Sequence, residues 1–64
     1  MLTARETTTI LAALLFWREE MCPHGRTIMR PYFAHFKRPR TRPLSAEEID
    51  QLTRRLQATL PRSQ

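Results

Sequence analysis

The chain has 64 residues and a mass of about 7.6 kDa, room for one small domain, and chains below roughly 70–80 residues seldom bury enough apolar surface to be stable alone. Hydrophobic residues make up 41%, above the disordered class, and Cys22 is the single cysteine, which excludes an intrachain disulfide scaffold and predicts a reducing, cytoplasmic setting. Eleven Lys and Arg against six Asp and Glu give a net charge of +5, a balance that admits nucleic acid, an anionic membrane or an acidic protein as partner without choosing among them.

The first predicted element is a helix over about residues 4–21. Thr3-Ala4-Arg5-Glu6 has the form of a capping box, in which the Thr hydroxyl and the Glu carboxylate each satisfy a backbone group that the helix start leaves unpaired. Ile10, Leu14, Trp17 and Met21 follow at helical spacing, and Leu11, Ala12 and Leu15 widen the apolar face. Pro23 removes a donor and disfavours a helical Cys22, so the helix is expected to stop near Met21. The apolar run Ile10 to Trp17 has eight residues, whereas a bilayer span needs about 20. Arg18, Glu19 and Glu20 stand where a signal peptide would place small residues, so the chain is read as mature from Met1. Those acids also argue against a membrane-surface helix, which favours Lys and Arg on its polar side.

Next comes a basic, Pro-punctuated strap over residues 24–43, holding Arg26, Arg30, Lys37, Arg38, Arg40 and Arg42 and no acid. Residues 1–23 sum to −1 and residues 44–64 to zero, so the strap supplies the whole net positive charge. Pro31 suits the first position of a short helical turn carrying Tyr32, Phe33, Ala34, His35 and Phe36, with Phe33 and Phe36 facing one side. Arg38 to Pro43 reads as extended linker.

A second long helix is predicted over about residues 46–59. Ser45-Ala46-Glu47-Glu48 is another capping box, and Leu44 before the cap is placed to staple onto Ile49. Glu47, Glu48 and Asp50 early and Arg54 and Arg55 late follow the order the helix dipole favours. Ile49, Leu52, Leu56 and Leu60 make a narrow apolar stripe that Pro61 is expected to end.

Three resemblances or constellations bear on chemistry. Cys22-Pro23-His24-Gly25-Arg26 resembles the C-P-H-G-R-P segment of MutL-family mismatch-repair endonucleases, where it helps build a metal site. Thr27 stands in place of the family's second Pro and the family's acidic helix motif is absent, so that activity is not carried onto Cys22 or His24; as zinc ligands Cys22, His24 and His35 lack a second Cys and a compact spacing. Arg5-Glu6, Ile10 to Leu14 and Trp17, with Leu44-Ser45 and Glu47 to Asp50, resemble short uncharacterised bacterial and phage proteins with an R-E-x-x-x-I-L-A-A-L-x-x-W start and an L-S-x-E-E-I-D end. That resemblance implies the helical layout and no activity. Adjacent pairs Glu19-Glu20 and Glu47-Glu48 diverge by about 100° on a helix and do not converge on one substrate atom.

The expected fold is therefore all-α: a two-helix antiparallel hairpin with a long basic connection, dimerising into a four-helix arrangement. Leu11, Leu14, Leu15 and Met21 are expected to pack on Ile49, Leu52, Leu56 and Leu60. Two such helices cannot cover the broad apolar face of the first, so Leu11, Leu14, Leu15, Trp17, Ile49, Leu52 and Leu56 are expected to form the interface of a homodimer. With one Gly, two His and no phosphate-cradling loop, no enzyme, cofactor, metal or small-molecule substrate is expected. The basic strap is the functional lead: Arg26, Arg30, Lys37, Arg38, Arg40 and Arg42 for nucleic-acid phosphates, Arg38 and Arg40 foremost, with Tyr32, Phe33 and Phe36 either stacking bases or plugging the gap between helices. The rival expectation is a protein-interaction adaptor that uses the apolar face of helix one.

Overall fold

The computed structural model describes residues 1–38 and 40–60. Among them the chain is all-helical, with three α-helices where two were expected. Helix α1 spans Ala4–Phe16, α2 spans Arg26–His35 and α3 spans Ala46–Gln57. The predicted ending of the last helix by Pro61 falls outside the described residues. No helix among the described residues is long and apolar enough to cross a membrane.

Both capping boxes form. The Thr3 backbone N–H donates to Glu6 Oε1 at 2.7 Å and the Glu6 N–H to Thr3 Oγ1 at 3.1 Å. At α3 the Ser45 N–H donates to Glu48 Oε1 at 2.8 Å and the Glu48 N–H to Ser45 Oγ at 3.2 Å. Each box satisfies two donors reciprocally, so each helix start is fixed within four residues of sequence.

After Phe16 the helix continues but widens into a π turn over Trp17–Met21, closed by the Cys22 N–H donating to the Trp17 carbonyl. A 3₁₀ turn follows over Cys22–His24, with the Gly25 N–H on the Cys22 carbonyl at 3.3 Å. Pro23 explains the change: the N–H it lacks would have bonded the Glu19 carbonyl, so the α-ladder cannot run through. Gly25 then reverses the chain at φ 84°, in the left-handed region. A Cβ there would meet nothing within 4 Å, so the demand for Gly is a backbone demand alone.

The strap is the main correction. Residues 26–35 are a ten-residue helix rather than a linker with one short turn, and Pro31 sits in its interior rather than at its first position. Pro31 leaves the Thr27 carbonyl without its usual donor. Both residues are exposed, so the break lies on the solvent side. At the other end the Lys37 N–H donates to the Ala34 carbonyl at 2.8 Å and the Arg38 N–H to the Phe33 carbonyl at 2.9 Å. With Lys37 at φ 60°, this is a Schellman ending.

Packing runs from α1 to α3 and from the π turn to α2. Among the described residues Ile49 is 2% exposed and, with Met21 and Met29, makes up the buried apolar set, while Thr7 is the buried polar residue. Ile10, Leu11, Leu14, Leu52, Leu56 and Leu60 are half-buried. Leu15 departs from the expected packing and is 59% exposed, because it lies 100° around the helix from Leu14 on the side turned from α3. The radius of gyration is 13.1 Å, against about 11 Å for a compact chain of this length. The fold is open, with a seam of packing rather than a centre.

Candidate nucleic-acid interface

Helix α2 places Arg26 and Arg30 one turn apart, and its ending places Lys37 and Arg38 at its C-terminal edge. Arg40 and Arg42 lie on the return segment to α3, where the Thr41 N–H bonds the Arg38 carbonyl at 3.2 Å. All six are exposed. None makes an ion pair among the described residues, where ion pairing is carried by Arg18. Arg26 and Arg30 line a small hollow with Phe33, Thr41 and Pro43. Arg26 and Arg42 line a second, more open groove together with Glu47 and Glu48 at the start of α3.

That second groove alters the electrostatic picture. Residues 24–43 hold no acid in sequence, but the fold brings Glu47 and Glu48 to the side where Arg26 and Arg42 stand. The smaller hollow, lined by Arg26 and Arg30, has no acid in its lining, and Lys37, Arg38 and Arg40 line neither hollow.

Arg18 was missed as a structural residue. Its Nε donates to Asp50 Oδ1 at 2.7 Å and its Nη2 to Asp50 Oδ2 at 3.1 Å, while Nη1 donates to Glu19 Oε2 at 3.1 Å. The two-pronged bond to Asp50, then the Asp50 charge, and to a smaller extent Glu19, hold the guanidinium above its ordinary range. This cation is committed to joining the π turn to α3. A 32-residue separation leaves no local pattern by which the sequence could announce it.

The aromatic residues divide. Trp17 is half-buried and stacks on Phe33, with ring centroids 5.9 Å apart and planes at 26°. It meets Tyr32 nearly edge-on at 5.8 Å and 85°. Phe33 is therefore the plug, held by Trp17 rather than by α3. Phe36 is left uncovered: it is 73% exposed and meets the His35 ring at 4.9 Å and 88°. Trp17, expected in a dimer interface, packs within its own chain.

Among the described residues no group of three or more His, Cys, Asp and Glu is placed to hold a metal ion. Cys22 is a half-buried free thiol, and His24 and His35 are exposed on separate elements. The Cys22–Arg26 segment is the 3₁₀ turn and the first residue of α2. Comparison of the chain with protein-family models, curated proteins and solved structures gives no match, so the site stands on its own geometry.

Proposed function

We propose that the chain is a small non-enzymatic accessory or regulatory protein that contacts nucleic-acid phosphates through Arg26, Arg30, Lys37, Arg38, Arg40 and Arg42. The observation that carries this reading is the exposure of all six cations, free of ion pairs among the described residues. Guanidinium and ammonium groups held this way release counterions from a polyanion on binding, which gives affinity without base readout. Arg38 and Arg40 remain the principal contacts, because neither lines the groove that holds Glu47 and Glu48.

The protein acts as a homodimer in which α1 and α3 of two copies form the four-helix arrangement, with Leu15 in the seam. What supports this is the small buried apolar set, beside Leu15 at 59% and Phe16 at 61% exposed. The same two residues support a second reading, an adaptor that docks another protein on the outer face of α1 with no nucleic-acid role. Salt separates the two, since docking on apolar surface changes little with ionic strength while phosphate contacts weaken steeply.

Anisotropy of labelled single-stranded DNA, duplex DNA and RNA with the full chain tests the proposal. Neutralising four phosphates weakens binding on the order of 10²-fold between about 50 and 200 mM salt, and Arg38→Ala/Arg40→Ala is expected to lower the slope of log K against log salt by about two. Absence of binding to all three at low salt overturns the nucleic-acid role and leaves the adaptor.

A further inference from the structure

We infer that Tyr32 and Phe36 form a stacking platform for the unpaired bases of a single-stranded nucleic acid, an inference that rests on the phosphate-contact reading and adds the class of strand. The two residues lie four apart on α2 and its ending, so their side chains project from one side of the helix a turn apart. Tyr32 is 55% and Phe36 73% exposed, in a chain whose third α2 aromatic, Phe33, is covered by Trp17.

Exposure alone would suit any apolar partner. Two further observations choose among them. Each ring is held by a perpendicular neighbour, Tyr32 by Trp17 and Phe36 by His35, so each is braced while much of it faces solvent, the condition for stacking without a further ordering cost. Cations lie close in sequence on either side, with Arg30 before Tyr32 and Lys37 and Arg38 directly after Phe36, and no acid between. A partner that brings flat apolar faces and regularly spaced negative charge complements both features, and unpaired nucleotides do so.

The spacing selects the single strand. Residues four apart on a helix stand about 6 Å apart along its axis, whereas nucleotides stacked in one strand of a duplex rise by about 3.4 Å. Bases held on both rings are therefore parted from each other, as an unpaired strand allows and a stacked duplex does not. Ile28 continues the same side at 47% exposed; an aliphatic residue there adds apolar area but no stacking surface.

The test uses the full chain with labelled oligothymidylate and with a duplex of equal length, read by anisotropy, with circular dichroism confirming the helicity of every variant. Phe36→Leu keeps the apolar bulk and removes the ring, and it is expected to weaken single-strand binding about tenfold while leaving duplex binding unchanged. Phe36→Trp is expected to restore the single-strand affinity, and Tyr32→Leu to repeat the loss one turn earlier. Salt-dependent binding that Phe36→Leu and Tyr32→Leu both leave intact, or a loss equal for single strand and duplex, overturns the platform while the phosphate contact survives. The Ile28, Tyr32 and Phe36 side then belongs to an apolar protein contact. Failure of the wild-type chain to bind either nucleic acid overturns both.

Discussion

Helices α2 and α3 have ten and twelve residues, and different forces keep them helical. Helix α3 carries devices of its own, a reciprocal cap at Ser45 and Glu48, acids in the first turn and Arg54 and Arg55 in the last, beside the burial of Ile49 and the bond from Arg18 to Asp50. Helix α2 has none of these at its start. It begins on Gly25 with no side-chain cap, carries Arg26 where the dipole is positive and no acid in its first turn, and has Pro31 in its interior. Isolated helices shorter than about 12–15 residues are marginal even with good sequences, and with no cap, no acid in the first turn and an interior Pro, α2 depends the more on what it touches. Met29 is buried and Phe33 lies under Trp17. Its cations Arg26 and Arg30 are exposed and make no ion pair among the described residues, so they are available to a partner.

The largest expected effects break the two helices in different ways. Ile49→Ala removes the most deeply buried apolar side chain and is expected to cost about 3 kcal/mol, enough in so small a domain to bring the thermal transition down by tens of degrees or abolish it. Trp17→Ala is expected to cost about 2–3 kcal/mol, concentrated on α2. Amide hydrogen exchange checks it: protection is lost over residues 28–35 while residues 50–57 keep theirs. Equal loss in both helices would mean that they unfold as one unit and that the contrast drawn between them is false.

The same division decides what could be read in advance. The starts of α1 and α3 were legible because a capping box is written in four consecutive residues, and the apolar stripe from Ile10 to Met21 because it repeats at helical spacing. The length of α2 was not, because Pro31 and the Pro-rich stretch after it speak locally for a linker and are overruled by the stack of Trp17 on Phe33 and the burial of Met29. The six cations were legible as a group from composition. The place of Arg26 was not, since it comes to line one groove with Glu47 and Glu48 only through the fold. Leu15 misled because helical spacing marks a wide face as apolar without saying which part finds a neighbour.

A smaller effect sharpens the contrast at the helix starts. Ser45→Ala removes the side-chain acceptor for the Glu48 N–H and is expected to destabilise the protein by about 1 kcal/mol, seen as a thermal midpoint lower by about 4–8 °C. Gly25→Ser places a capping side chain where α2 lacks one, but at φ 84° the strain of a left-handed Ser outweighs the cap. A net loss of stability is expected there, so the missing cap of α2 follows from the reversal at Gly25 and not from a want of Ser or Thr.

The smallest effect is at the other end of α2, where stability and binding part company. Lys37 occupies the left-handed position of the Schellman ending, which costs an L-residue roughly 1–2 kcal/mol, while Gly carries an entropic cost of roughly 0.5–1 kcal/mol. Lys37→Gly is therefore expected to stabilise the fold by about 0.5 kcal/mol, raising the thermal midpoint by about 2–4 °C. The substitution also removes one of the six cations, so the slope of log K against log salt for nucleic-acid binding is expected to fall by about one. A more stable helix that holds a polyanion less firmly would show that Lys37 is kept at a strained position for its charge. A gain in stability with an unchanged slope would assign it to the helix ending alone and leave the phosphates to the other five.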